Sequence, residues 1–118
     1  MEETMVTDIS FLKHFTSGDT QMITNLINVF FTTAKDKLDK LEVEIEKKDL
    51  KRVRDIVHSF KPQLSYMGIK SAEEIVRRIE DSADSVAIEE SIPSLVDSLK
   101  SIVETATIEL KKVSERLA

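Results

Sequence analysis

The chain has 118 residues, with no cysteine, two glycines, two prolines and a formal net charge of −5 at pH 7. This length fits one domain around a single core, and the lack of cysteine excludes a disulfide framework and a thiolate metal site. Two glycines and two prolines are too few for the many turns of an all-β fold, so we expect helices.

The sequence has no targeting or membrane signal that we recognise. No apolar run approaches the roughly twenty residues that span a bilayer. The first residues after Met1 are acidic and lack the basic-then-apolar layout of a secretory signal. We therefore expect a cytoplasmic protein that does not contact membranes, and Met1 favours a free-standing chain over an excised domain.

The first two predicted helices are separated by a glycine. Asp8 is a suitable N-cap for a short helix that ends near Gly18, a natural left-handed stop. Asp19 is a suitable N-cap for a second helix over 19–47, which would be roughly 40 Å long. The apolar positions of the first helix are Ile9, Phe11, Leu12 and Phe15.

Three more apolar stripes follow at helical spacing. Asp49 caps a third helix that Gly68 closes, and Ser71 to Glu74 resembles a capping box that opens a fourth. A polar connection over 85–91 leads to a last helix, in whose first turn Pro93 is acceptable. The pattern predicts an all-α fold over residues 1–118, an antiparallel four-helix bundle with a short additional N-terminal helix.

His58 breaks the pattern of a core element. On a helical wheel with about 100° per residue, it points away from the apolar face of the third helix. An incidental surface histidine would show the same placement, so the residues around it matter. The wheel places beside it Lys47, Lys51, Arg54, Lys61, Pro62 and Ser65.

Positive charge is concentrated on this helix. Residues 47–61 carry 6 basic and 2 acidic side chains in an otherwise acidic chain. Lys51 and Arg52 lie near the predicted N-terminus of the helix, where the helix dipole disfavours cations. The charge therefore suggests an anionic partner or group, although a solvated face is the ordinary explanation. So short a stripe is a poor nucleic-acid footprint, and we expect no nucleic-acid binding.

The chemistry open to an exposed imidazole is narrow. Neutral imidazole is a competent nucleophile at physiological pH and attacks activated phosphoryl groups to give a phosphoramidate. Lys61, one turn after His58, would place an ammonium beside the added phosphoryl oxygens. Acid–base catalysis on a small substrate would instead need a pocket and a second titratable group.

Residues 58–68, His-Ser-Phe-Lys-Pro-Gln-Leu-Ser-Tyr-Met-Gly, resemble the signature of the histidine-containing phosphotransfer (HPt) family. The shared features are the histidine, a lysine three residues later, a small residue next to that lysine and a glycine ten residues after the histidine. The order of the predicted helices is similar to that of the family as well, so the resemblance covers essentially the whole chain.

The resemblance implies a phosphorelay intermediate without kinase activity of its own. His58 would accept a phosphoryl group from a receiver-domain aspartate and pass it to another receiver, and Lys61 would stabilise the phosphorylated state. The receiver would supply Mg²⁺, so no cofactor is expected on this chain. Partners would be response-regulator receiver domains, with a hybrid sensor kinase as a further candidate, and we expect a monomer.

Further residues take supporting roles by the same resemblance. Receivers of the family dock across the short first helix and the ends of the next two. Exposed members of that first helix are therefore candidate contacts, although a core role is equally open for them. The candidate contacts are Phe11, Phe15 and Leu12, and the supporting residues near the histidine are Pro62, Gly68, Ser65, Arg54 and Lys51.

Pro62 departs from the family, which usually has glycine there. Proline cannot donate a hydrogen bond to the carbonyl of His58 four residues back, so we expect a bend or a widened turn at 58–62. Two outcomes stay open: a working module with a preset kink, or a degenerate one that binds receivers without phosphotransfer.

Two rival functions use the same residues. A metal-binding bundle would use Asp55 and His58, but di-metal bundles need two such pairs that face inward, and His14, the other histidine, has no such partner. Asp55 has two simpler roles, a solvated carboxylate or a hydrogen-bond partner that sets the tautomer of His58. The second rival is a non-catalytic helical adaptor in which the spacing of His58 and Lys61 is accidental.

Overall fold

The computed structural model describes residues 5–83 and 91–117, and every regular element in these ranges is a helix. Most of the connection predicted over 85–91 lies outside the described residues. None of the helices described is both long and apolar enough to cross a membrane. The helices are α1 (Ser10–Phe15), α2 (Thr20–Glu46), α3 (Leu50–Tyr66), α4 (Lys70–Ala83) and α5 (Ile92–Leu117).

The four long helices form a bundle around one core, which confirms the predicted helical fold. α3 packs against α2 and α4, and α5 closes the bundle by packing against the same two helices. α3 and α5 are therefore diagonal neighbours. The largest fully buried side chains come from all five helices and one connection: Leu12, Ile23, Ile27, Phe30, Leu41, Phe60, Leu64, Ile69, Ile79, Ile92, Leu99 and Leu110.

Two of the predicted N-caps are confirmed. Asp19 accepts a hydrogen bond from the N–H of Met22, and Asp49 accepts one from the N–H of Arg52, both at 3.1 Å. Each carboxylate satisfies a backbone donor that the first turn of a helix leaves without a partner. The starts of α2 and α3 are thus set by single residues.

The other two predicted helix starts are wrong, by one residue at α1 and by two at α4. α1 has Ile9 rather than Asp8 as its N-cap, because Asp8 accepts hydrogen bonds from the N–H and hydroxyl of Ser10 just before the helix. α4 begins at Lys70 because the carbonyl of Ile69 accepts from two N–H groups of its first turn. Ser71 therefore lies inside α4, and the predicted capping box does not form.

The two prolines lie in different parts of their helices. Pro93 is the second residue of α5, where its missing N–H would have no partner in the helix, as predicted. Pro62 lies inside α3, which remains α-helical from Leu50 to Tyr66. The widened turn expected at 58–62 is therefore wrong, because the helix accommodates the loss of one hydrogen bond. A bend at the same place stays a prediction.

Gly68 ends α3 and admits the N-terminal segment. Its φ of +63° allows the N–H groups of Gly68 and Ile69 to donate to the carbonyls of Ser65 and Leu64, both at 3.0 Å. A Cβ at Gly68 would lie 2.2 Å from the carbonyl oxygen of Asp8. Glycine is required here both by the backbone conformation and by the close approach of another chain segment.

The segment before α1 is held at two places. The N–H of Asp8 donates to the carbonyl of Met67 at 3.0 Å, beside Gly68. On α5, the carboxylate of Glu109 accepts hydrogen bonds from the N–H groups of Val6 and Thr7 and from the Thr7 hydroxyl. These contacts fix the position of α1 against the end of α3.

We predict that Gly68→Ala destabilises the protein by more than about 2 kcal/mol, since alanine would meet both the left-handed conformation and the backbone of Asp8. Gly18→Ala is the matched control. Gly18 has a φ of +80° and open space where a Cβ would lie, so only the conformational cost, about 1 kcal/mol, applies.

Chemical denaturation of both variants measures the difference. Equal losses of stability would contradict the role given to the contact between Gly68 and Asp8.

Candidate functional site

His58 lies on the outer face of α3, and its side chain is 72% exposed. Its neighbour Val57 is fully buried, as is Phe60 two residues later. The helical wheel therefore predicted the orientation of the imidazole correctly. Since α3 is packed on both sides by α2 and α4, the ring is presented to solvent by a rigid element.

Lys61 and a carboxylate from α4 lie beside the imidazole. The Oε2 atom of Glu80 is 3.6 Å from Nδ1 of His58, and its Oε1 atom is 3.9 Å from Nζ of Lys61. The Glu80 side chain is 20% exposed and that of Lys61 is 44% exposed. The site thus contains an imidazole, an ammonium and a carboxylate.

Sequence reasoning missed Glu80. It considered a carboxylate at the imidazole but named Asp55, one turn before His58, and Asp55 is exposed. Glu80 is 22 residues away in sequence, and only the packing of α4 on α3 brings it to the ring. The one signal that could have found Glu80 is its position on the edge of α4, between the buried and the exposed face.

The surface around His58 is a shallow open depression. It is lined by His58, Lys61, Pro62, Ser65 and Glu73. Next to His58 in sequence, the hydroxyl of Ser59 accepts a hydrogen bond from Nζ of Lys37 on α2 at 2.9 Å. This open geometry leaves room for a macromolecule that brings its own reactive group, whereas a small substrate would not be enclosed.

Basic side chains continue along α3 from His58 towards its N-terminus. Lys51 and Arg54 are exposed, and the first turn of α3 contains no acidic residue. Lys47, just before the helix, lies 3.8 Å from Glu44. The basic stretch foreseen from the sequence is therefore displayed on the same helix as the imidazole.

An exposed aromatic cluster, formed by Phe11, Phe15 and Tyr66, lies where α1 meets the end of α3. The ring of Phe11 stacks on Phe15 with centroids 5.7 Å apart and on Tyr66 with centroids 5.4 Å apart. The three side chains are 45%, 63% and 46% exposed in chain order. Tyr66 lies eight residues after His58, about 12 Å along the helix.

The predicted contacts on α1 are thus only partly available. Phe11 and Phe15 are exposed, but Leu12 is 1% exposed and belongs to the core, so its prediction as a partner contact is wrong. A six-residue helix has too few turns for its periodicity to distinguish the buried face from the exposed face. Tyr66 joins the cluster although no sequence pattern pairs it with α1.

A resident metal site has no support in the described residues. Within residues 5–83 and 91–117, no three His, Asp or Glu side chains lie close enough together to hold a metal ion. His14 is exposed on α1.

Comparisons with known proteins agree with this architecture. The family model of the Hpt domain matches residues 25–112, a range that includes α3 and His58. The crystal structure of histidine-containing phosphotransfer protein B (HptB) from Pseudomonas aeruginosa PAO1 is similar, with a TM-score of 0.83 and 21% sequence identity. The match covers 97% of this chain and 98% of that chain. Among curated proteins no match is found.

The structural likeness concerns the fold alone at this level of identity. The family match covers most of the chain, and the structure displays a histidine on the outer face of the third helix of the bundle. The chain therefore belongs to the Hpt domain family, the phosphotransfer modules of two-component phosphorelays.

Proposed function

We propose that His58 accepts a phosphoryl group from the aspartyl phosphate of a receiver domain and passes it to a second receiver. The lone pair of Nε2 forms the N–P bond while the P–O bond to the aspartate breaks, and the aspartate leaves with the electron pair. The reverse step at another receiver regenerates the imidazole. No kinase activity is required of this chain, and Mg²⁺ would be supplied by the receiver.

The observation that carries the proposal is an imidazole 72% exposed at the centre of a rigid helix. Because Nδ1 faces Glu80, Nε2 on the far side of the ring is the nitrogen available for attack. Lys61 lies one turn away, and its ammonium would pair with the oxygens of the added phosphoryl group. The basic stretch of α3 attracts an anionic group to the same face.

The aromatic cluster is the proposed docking surface for the receiver. Exposed rings near a reactive group are typical anchors of a protein interface, because they bury much apolar area at small cost in side-chain entropy. Tyr66 of the cluster follows His58 along α3 by about 12 Å of helix, and both side chains are exposed. One receiver domain of ordinary size covers both.

We predict that His58→Gln abolishes labelling when the protein is incubated with phosphorylated receiver domains, because glutamine has no nucleophilic nitrogen. His14→Gln, a change to the other exposed histidine, should label like the wild type. Since His58 is exposed, its replacement should change the free energy of unfolding by less than about 0.5 kcal/mol. The amount of acid-labile label and the ³¹P NMR spectrum measure the phosphorylation of each protein.

The same experiment separates the two outcomes left open by Pro62. A receiver that binds the wild-type protein without transfer of label would support the degenerate adaptor. Pro62→Gly would then be the variant in which to look for recovered labelling, because it restores the residue that is usual in the family.

Lys61→Ala should shorten the lifetime of the phosphorylated protein by about three- to tenfold, corresponding to roughly 1 kcal/mol for a partly exposed ion pair. Lys111→Ala, which removes an exposed lysine of α5, is the charge-matched control. Decay of the label, followed by ³¹P NMR, gives both lifetimes. Identical decay of the two variants would mean that Lys61 is an ordinary surface lysine.

Phe15→Ser should weaken receiver binding by about tenfold, since an aromatic anchor contributes on the order of 1–2 kcal/mol to an interface. Ile108→Ser is the matched control, because Ile108 is 58% exposed on α5, diagonally across the bundle from α3. Calorimetric titration with a receiver domain measures both affinities. Equal affinities would place the docking surface elsewhere.

A further inference from the structure

A carboxylate of α5 holds the backbone of the N-terminal segment. Glu109 accepts hydrogen bonds from the N–H groups of Val6 and Thr7, each at 3.0 Å, and from the Thr7 hydroxyl at 2.7 Å. Val6 precedes Glu109 by 103 residues, so this contact joins distant parts of the chain. An ionised carboxylate accepts stronger hydrogen bonds than a neutral oxygen does. We call residues 6–8 the N-terminal strap.

The apolar face of α5 does not include Glu109. The residues that α5 buries in the bundle are Ile92, Val96, Leu99, Val103, Ala106 and Leu110. Glu109 is half-buried at the edge of this face, whereas Thr7 is a polar residue that is only 7% exposed. The hydrogen bonds of Glu109 therefore serve the strap rather than the packing of α5.

The helix that follows the strap, α1, is too short to keep its own position. An isolated helix of six residues is unstable in water, and no side chain caps the start of α1. The residue that α1 buries in the core is Leu12. One buried side chain fixes the depth of a short helix but leaves its direction free to vary. A second attachment is therefore needed to hold α1 in one orientation.

The strap supplies this attachment across the end of the bundle. Thr7 is held on α5 by Glu109, and the next residue, Asp8, donates its N–H to the carbonyl of Met67 at 3.0 Å. Phe11 follows Thr7 by only four residues, so a displacement of Thr7 is passed on to the Phe11 ring. That ring stacks on both other rings of the aromatic cluster. The path from Glu109 to the cluster is thus short and continuous.

We infer that Glu109 is a positioning residue for receiver docking: by holding the strap on α5, it sets the orientation of α1 and of the aromatic cluster. The inference rests on the proposed function, in which this cluster docks the receiver. It goes further by assigning a role to a residue of α5, the helix diagonally opposite α3. Glu109 acts through α1 and needs no contact with the receiver.

A role in docking alone has a distinctive signature. His58 and Lys61 lie on α3 and their neighbour Glu80 lies on α4, so release of the strap leaves the reactive groups in place. Phosphoramidate, a small phosphodonor that leaves as ammonia, needs no docking surface to reach an imidazole that is 72% exposed. Release of the strap should therefore weaken receiver binding without changing the reactivity of the imidazole.

The test compares Glu109→Ala with Glu104→Ala. Both variants lose a carboxylate from α5, but Glu104 is exposed and lines the groove between α2 and α5. In calorimetric titrations with a receiver domain, Glu109→Ala should bind about fivefold more weakly, because Phe11 and Phe15 then have to be ordered on binding. Glu104→Ala should bind like the wild type. Labelling by phosphoramidate should proceed at the wild-type rate in both variants.

Two further variants keep the test decisive. Glu109→Gln has the same shape and keeps a carbonyl acceptor, so its receiver affinity should lie between those of the wild type and Glu109→Ala. Combined with Phe15→Ser, Glu109→Ala should weaken binding by less than it does alone, because one ring that the strap positions is already removed. Hydrogen exchange at the N–H groups of Val6 and Thr7 reports the release of the strap directly.

The outcomes distinguish this inference from the proposed function. An unchanged receiver affinity in Glu109→Ala overturns the positioning role, whether or not hydrogen exchange of the strap becomes faster. A parallel fall in receiver affinity and in labelling by phosphoramidate overturns it as well, since that is the pattern of a general loss of folded protein. Absence of label on wild-type His58 overturns the proposed phosphotransfer, whereas the titrations still decide the role of Glu109.

Discussion

The contact between Gly68 and the backbone of Asp8 is the constraint on which the site depends. The left-handed conformation of Gly68 ends α3 and returns the chain as α4, so that Glu80 reaches the imidazole of His58. The missing side chain of the same glycine admits the segment before α1, so that Phe11 stacks on Tyr66. One residue therefore controls both the electrostatic surroundings of the histidine and the aromatic surface beside it.

The site combines an exposed imidazole with a shielded carboxylate, and these two features make opposite demands on the fold. Exposure of His58 costs little, because the imidazole is solvated and its helix buries the other face in the core. Shielding Glu80 without a hydrogen bond to Oε1 from the described residues is unfavourable, and the nearby ammonium of Lys61 only partly compensates for it.

The surfaces on either side of His58 along α3 differ in character. Basic side chains precede His58 along the helix, and the aromatic cluster follows it at the junction with α1. Charge accelerates the approach of an anionic partner and loses strength with salt, whereas apolar contacts hold the docked complex. The wide groove between α2 and α5 lies on a different side of the bundle, so it takes no part in this arrangement.

Local pattern in the sequence determined the five helices, the caps at Asp19 and Asp49 and the outward direction of His58, because helix periodicity and capping depend on residues within a few positions. The helix start at Asp8 was misplaced because its carboxylate accepts from the N–H and hydroxyl of Ser10, and the start at Ser71 because the carbonyl of Ile69 accepts the first N–H groups of α4. Tertiary structure alone decided that Leu12 is buried, that Tyr66 joins the α1 aromatics and that Glu80, not Asp55, faces the imidazole. Those contacts depend on the register between helices. The turns and the packed core set this register, and the periodicity within a single helix carries no information about it.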